Sequence, residues 1–327
     1  MSLNIIDAAT VRTLLSMPVC IAAMREAMVC LSRGQVVLPA RIAAGLADGS
    51  GYLITMPGSS GNPAIDGLKV LTWLPANPAA GRAAIQGVVL LFDRSTGAPM
   101  ALLDGAEITA IRTAAVSALA TQLLARSDVK SHGILGTGVQ ARMHIDAVQA
   151  ARPGIESIRV WGRDRERTRT FAAEQRTRTG LNVIAVEQAM DAASCDVVST
   201  TTGATQPILQ GAWVRPGAHV NLVGAYRPTE READTELIAR SAIYVDLMQS
   251  AMNEAGDLLI PIQEGAFAKD RIVGELGQLA AGDIAGRSDN KQITVFKSLG
   301  VVAQDLFAAW SVYQSAQSQV KGVVVDF

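Results

Sequence analysis

"HGILGTGVQARMH", residues 132–144, decides the fold. An apolar run closes on a glycine turn, and a helical pattern opens at Val139. Gly136, Gly138 and Ala141 supply the spacing G-x-G-x-x-A. The first glycine permits a tight turn, and the second lets backbone N–H groups approach a pyrophosphate. The small third residue lets the helix pack close to the strand. Two glycines alone are weak evidence, because loops are rich in glycine. The strand before them and the helix after them carry the weight.

The rhythm continues down the chain. Strand-like "IESIRVWGR" (155–163) precedes helical "RERTRTFAAEQRTR" (165–178), and "NVIAV" (182–186) precedes helical "VEQAMDAA" (186–193). The strands "CDVVSTTTG" (195–203), "HVNLVGA" (219–225) and "AIYVDL" (242–247) follow. Such alternation predicts an α/β fold, a Rossmann-type doubly wound parallel sheet over residues 119–301. Gly136, Thr137, Gly138, Val139 and Gln140 are the candidate pyrophosphate contacts. Cofactor choice is read at the end of the second strand, where an acid holds a ribose 2′-hydroxyl and an arginine accommodates a 2′-phosphate. Arg163 is followed by Asp164 and by Arg165 and Arg167. The arginines favour NADP(H). Asp164 equally suits a helix N-cap, and NAD(H) stays open.

The first hundred residues read differently. "GYLITMPG" (51–58) and "GLKVLTWLP" (67–75) are strands punctuated by glycine and proline. "GVVLLFDRSTGAPMALLDG" (87–105) is a hairpin turning at Gly97 and Pro99. These predict an N-terminal α+β domain over residues 1–118. The amphipathic segment "SLGVVAQDLFAAWSVYQSAQSQV" (298–320) has no place in the nucleotide domain, so residues from about 302 to 327 are expected to fold back onto the N-terminal one. Between the two domains, "ITAIRTAAVSALATQLLA" (108–125) is an apolar helix with one charge, Arg112. A buried arginine needs a charge-assisted partner. The nearest acid before it is Glu107, and none lies within a helical turn after it.

Composition bounds the function. The chain has 327 residues, 49% hydrophobic and 18% charged, with a net charge of −1. That balance offers no field for nucleic acid or an acidic membrane, and so little charge predicts a buried oligomer interface. Cys20, Cys30 and Cys195 have no metal-ligand spacing, and their odd number argues against a disulfide framework. A reduced, cytoplasmic setting is expected. The N-terminus lacks the pattern of a signal peptide, and no uncharged apolar window is long enough for a membrane span. His132, His144 and His219 lack ligand spacing, so they are expected to be structural and no metal is expected.

"LDGAEITAIRTAAVSALAT" (103–121), "GVVLLFDRSTGAP" (87–99), "GILGTGVQARMH" (133–144), "HVNLVGAYRP" (219–228) and "ITVFKSLGVVAQDL" (293–306) together resemble the ornithine cyclodeaminase/mu-crystallin family. The resemblance runs from about residue 36 to 315, and "ITAIRTAA" and "VFKSLG" are its most specific parts. It implies an N-terminal substrate and dimerisation domain, a Rossmann domain, and a nicotinamide cofactor meeting a small α-amino or α-imino acid between them. It implies that Arg112 and Arg41 hold the substrate carboxylate and that Lys69 stands beside the reacting carbon. Those residue types suit the roles, a planar guanidinium for a carboxylate and a lysine of lowered pKa for proton transfer. Read without the family, Arg41 is an ordinary loop arginine and Lys69 suits the solvated face of a strand. Thr200, Thr201 and Thr202, Val223 and Gly224, and Ser298 and Gly300 are implied to line the cofactor near its nicotinamide.

One departure is informative. Cyclodeaminases and alanine dehydrogenases of the family carry an aspartate soon after the "VGA" turn, where this chain has Tyr226 and then Arg227. Losing that carboxylate disfavours ring closure of ornithine. The ketimine and pyrroline-carboxylate reductases of the family also lack it, so the resemblance implies imine reduction, with Tyr226 as a hydrogen-bond donor or pocket wall. The expected activity is NAD(P)H-dependent reduction of a cyclic α-imino acid, of the Δ1-pyrroline-2-carboxylate or Δ1-piperideine-2-carboxylate type. Reduction of iminosuccinate, with Arg82 or Arg227 taking the extra carboxylate, and amino-acid dehydrogenation are the alternatives. Cyclodeamination and a binding protein without turnover rank below them.

Overall fold

The glycine turn joins the strand Ser131–Leu135 to the helix Val139–Ala151 in a computed structural model that describes residues 2–326. The chain divides into two compact units. One holds the residues up to Thr113 and from Val301 onward, and the other is Ala114–Gly300.

In the second unit eight parallel strands form one sheet. Their order is Val183–Ala185, Ser157–Trp161, Ser131–Leu135, Val197–Thr200, His219–Leu222, Ile293–Lys297, Ser241–Val245 and Ile272–Glu275. The chain winds outward from Ser131–Leu135 in one direction, then returns to add Val197–Thr200 on its other side. This reversal is the switch point at which doubly wound sheets bind ligands beyond the strand C-termini. Strands buried on both faces read as continuous apolar runs, as here. Leu135, Val198, Val220 and Val295 pack on one side and Ile134, Ile145, Val148 and Val160 on the other.

In the first unit the strands run Val323–Asp326, Ser2–Ile6, Pro99–Asp104, Ile85–Phe92, Ile65–Trp73, Tyr52–Ser60 and Val36–Val37, with Ile42–Gly45 paired to Tyr52–Ser60. The hairpin Ile85–Phe92 and Pro99–Asp104 closes with Gly97 at φ +73°, a left-handed position that glycine occupies without strain. Val323–Asp326, unexpected from the sequence, pairs antiparallel with Ser2–Ile6 at the sheet edge. The helix Val302–Gln319 lies on this sheet over a flat spot made by two glycines. Gly58 and Gly67 oppose each other across neighbouring strands. A Cβ at Gly58 would stand 2.8 Å from Val302, and one at Gly67 2.9 Å from Leu306. Side chains at these two positions would lift the helix N-terminus off the sheet.

Among the described residues no single helix is long and apolar enough to cross a membrane, although the bent pair Ala8–Leu14 and Met17–Ser32 reaches that length together. No group of three His, Cys, Asp or Glu among them is arranged to hold a metal ion.

Candidate active site

Helix Val302–Gln319 carries Asp305 in its first turn, where the helix dipole favours a carboxylate. Because the helix sits on the glycine pair, Asp305 reaches the strand Ile65–Trp73. Its Oδ2 lies 2.8 Å from Lys69 Nζ, and its Oδ1 accepts from Arg112 Nε at 2.9 Å. Gln304 Oε1 accepts from Arg112 Nη1 at 2.8 Å, and Gln304 Nε2 rests on Met28 Sδ. Lys69, Arg112, Gln304 and Asp305 are all buried.

The electrostatics are those of two cations sharing one carboxylate. Burial and the repulsion of Arg112 and Arg41 outweigh the pull of Asp305 and bring the Lys69 ammonium down to about 8. Burial pushes the Asp305 carboxyl up, but Arg112 and Lys69 outweigh it and hold the group below its usual range. Two N–H donors of Arg112 are committed to Asp305 and Gln304. The rest of its five-donor fork suits an incoming carboxylate. Arg41, half-buried in the loop before Ile42–Gly45, is close enough for its charge to bear on Lys69. The charge-assisted partner that a buried Arg112 requires is not its sequence neighbour Glu107 but Asp305, 193 residues further on.

In the second unit Gly136 takes φ +136°, and a Cβ there would stand 2.5 Å from Thr201 Oγ1. This glycine is required by the approach of the loop after Val197–Thr200. Gly138 differs. It is the N-cap of Val139–Ala151 with φ −97°, and a Cβ there would meet nothing within 4 Å. The open space lies at a helix N-terminus, where unbonded N–H groups and the dipole favour an anion. Thr137 packs beside Gly162, Val139 is 61% exposed, and the Gln140 carbonyl accepts from His144 Nδ1 at 2.8 Å. A cavity of about 450 Å³ next to the end of Ser157–Trp161 is lined by Arg163, Arg165, Glu187, Met190 and Trp213 among others. Asp164 caps the next helix by accepting from Arg167 N at 3.0 Å, the N-cap role weighed from sequence.

A model of the ornithine cyclodeaminase/mu-crystallin family matches residues 2–320. The chain belongs to that family. It is 35% identical to a Δ1-pyrroline-2-carboxylate reductase of Bacillus cereus over 325 residues, 99% of either chain. It is 40% identical to the ketimine reductase mu-crystallin of Mus musculus over 285 residues, 87% of each. A solved Thermococcus litoralis Δ1-pyrroline-2-carboxylate reductase in complex with NADH and L-proline superposes with a TM-score of 0.94 at 34% identity, covering 98% of this chain and 99% of that one.

Within the family's frame, Lys69 and Arg112 stand together in the first unit with Arg41 near them. Tyr226 belongs to the second unit, 37% exposed, with the Arg227 guanidinium 5.6 Å from its ring centroid. Arg227 pairs with Glu230 at 3.1 Å. The hydroxyls of Thr200 and Thr202 and the N–H of Gly224 all bond to Glu232, while Thr201 N and Oγ1 donate to Leu135 O. Val223 N donates to Thr200 O, Ser298 N to Leu222 O, and Gly300 N to Asp246 Oδ2 at 2.7 Å. The sequence reading missed Gln304, Asp305, Glu232, Asp246 and Asp257. Asp305 had one available signal, an acid inside the apolar stretch "SLGVVAQDLFAAW".

Proposed function

We propose that this chain is an NAD(P)H-dependent imine reductase that forms an L-amino acid from a small cyclic α-imino acid of the Δ1-pyrroline-2-carboxylate or Δ1-piperideine-2-carboxylate type. The observation that carries the reading is the buried Lys69–Asp305–Arg112 cluster. The names of the relatives, pyrroline-carboxylate reductases and a ketimine reductase, support the same reaction.

Lys69 and Arg112 share the single carboxylate of Asp305, so the cluster carries a net positive charge and attracts an anion. Arg112, oriented by Asp305 and Gln304, takes the substrate carboxylate with its remaining donors, and Arg41 takes the other side. Such a clamp fixes the imine carbon in place before reaction. The nicotinamide, when bound, supplies the hydride that the imine carbon accepts. Lys69 holds at Nζ the proton that the imine nitrogen requires. A group with a pKa of about 8 is both protonated and willing to give up its proton near neutral pH. Asp305 keeps that ammonium charged in a site that burial would otherwise neutralise. With Tyr226 in place of a carboxylate, nothing at that position pairs with the amine of ornithine.

NADPH is the favoured cofactor in this reading. Asp164 is engaged as a helix cap, and Arg163 stands exposed on the cavity with Arg165. A homodimer is part of the same reading, supported by the wholly exposed strand Ile42–Gly45 with Val37 72% and Ile42 64% exposed at the sheet edge. So is a cytoplasmic setting, supported by three cysteines buried as free thiols. The deciding experiment follows NADPH and NADH absorbance with both cyclic imines, with iminosuccinate, and with 2-oxo acids plus ammonia. Cyclic imines should turn over fastest. Turnover of none of these, or ammonia release from ornithine, would remove the reading.

A further inference from the structure

Glu232 is fully buried and accepts four hydrogen bonds from two strand ends. Its Oε2 accepts from Thr200 Oγ1 at 2.7 Å and from Gly224 N at 2.6 Å. Its Oε1 accepts from Thr202 N at 2.8 Å and Thr202 Oγ1 at 2.7 Å. The carboxylate therefore ties the loop after Val197–Thr200 to the turn after His219–Leu222. A third strand end is joined through Asp257. Glu232 N donates to Asp257 Oδ1 at 2.8 Å, and Asp257 Oδ2 pairs with Lys297 at 2.8 Å. Lys297 Nζ also donates to the carbonyl of Ala225. These strand ends form the C-terminal rim of the sheet, the side on which doubly wound folds bind nucleotides.

Burial and the neighbouring Asp257 push the Glu232 carboxyl up, against the pull of Lys297, Thr200 and Thr202. A carboxylate has about four acceptor sites, and four donors point at them here, two of them backbone N–H groups. No isostere reproduces this. A carboxamide in the same place accepts at one oxygen only and turns its N–H groups toward a threonine hydroxyl, which can rotate to accept, and a backbone N–H, which cannot. Gly224 reports how tight the arrangement is, since a Cβ there would stand 2.5 Å from Glu232 Oε1.

We propose that Glu232 is the positioning residue of the cofactor site: it makes no contact with substrate, but holds the Thr200–Thr202 loop and the Val223–Ala225 turn in the one arrangement that accepts the nicotinamide end. The proposal rests on the reading of this unit as NAD(P)-binding. Thr200 and Thr202 then act through Glu232, and their hydroxyls are not the groups that bind the cofactor.

The test titrates NADPH and NADH fluorescence on the full chain as wild type, Glu232→Gln, Thr202→Val and Glu232→Gln/Thr202→Val. Glu232→Gln is expected to weaken cofactor binding by about tenfold or more, with the KM of the imine within about twofold, because one backbone N–H loses its acceptor and the remaining donors lose a charged one. Thr202→Val should weaken it by about threefold, and the double variant should be no weaker than Glu232→Gln alone, since both changes break one network. If Glu232→Gln does not fold, Thr200→Val and Thr202→Val carry the same test, and unchanged cofactor affinity in both overturns the proposal. A folded Glu232→Gln protein with wild-type affinity, or additive effects in the double variant, also overturns it. Wild-type protein that binds neither nucleotide overturns the underlying reading instead, and this proposal with it.

Discussion

Asp305 Oδ2 and Lys69 Nζ lie 2.8 Å apart, both side chains at most 2% exposed, on elements separated by most of the chain. A carboxylate in that place raises the Lys69 pKa, so Asp305→Asn should lower it further below about 8. If protonated Lys69 is the working form, kcat/KM of the wild type falls as pH rises through about 8, and in Asp305→Asn the fall begins at lower pH. Removing one member of a buried pair should also destabilise by about 3–5 kcal/mol. A pH–rate profile with the same alkaline limb in both proteins would show that another group titrates.

Arg112→Ala should reduce kcat/KM for the imine by about a hundredfold or more, as expected when a buried charged contact to a carboxylate is lost. NADPH affinity should change by no more than about twofold, because Arg112 is placed on the carboxylate of the substrate. Steady-state kinetics and cofactor titration on one preparation separate the two effects. Loss of cofactor binding would put Arg112 in a different role.

The two turn glycines should respond differently. Gly136→Ala forces a side chain to φ +136° against Thr201, so its melting temperature should fall. Gly138→Ala meets no neighbouring atom within 4 Å, so its melting temperature should stay at the wild-type value while nucleotide affinity drops by about tenfold or more, as the added methyl occupies the pyrophosphate cradle. Unchanged affinity in Gly138→Ala would mean that this turn is not the cradle.

Arg163 lies exposed on the cavity, whereas Arg165 and Arg169 are both engaged by Glu187 at 3.0 and 2.9 Å. Arg163→Ala should therefore lower the preference for NADPH over NADH by about tenfold, the scale of one charge-assisted contact to a phosphate. The ratio of the two kcat/KM values measures it. An unchanged ratio would assign phosphate recognition elsewhere.

His132, His144 and His219 are buried against Ser199, Ser117 and Thr294, and burial lowers them to about 3, about 4 and about 3. The unfolded chain takes up protons at these residues near pH 6.5 while the folded chain does not, so stability falls as pH drops from about 6.5 toward those values. Each should remove on the order of 2 kcal/mol between pH 7 and pH 5. Urea unfolding at the two pH values checks this, and a flat unfolding free energy would contradict it.

Much of this was legible in one dimension. The alternation after residue 131 specified a parallel sheet because its strands, buried on both faces, must be apolar throughout. The turn at Gly136–Gly138 was legible because a strand-to-helix phosphate loop is local. Lys69 and Arg112 stood out because a charge in an apolar element demands a reason. What answers that charge was not legible. Asp305 meets Lys69 and Arg112 only because Gly58 and Gly67 fall opposite each other in register and let the helix Val302–Gln319 settle onto the sheet. Glu232 read as one acid among several in "RPTEREAD", and only the packed sheet shows it filled by four donors. Periodicity and local motifs specify elements and the faces they bury. Which distant carboxylate neutralises which cation depends on strand register and on how closely two elements approach, and those are decided by the tertiary structure alone.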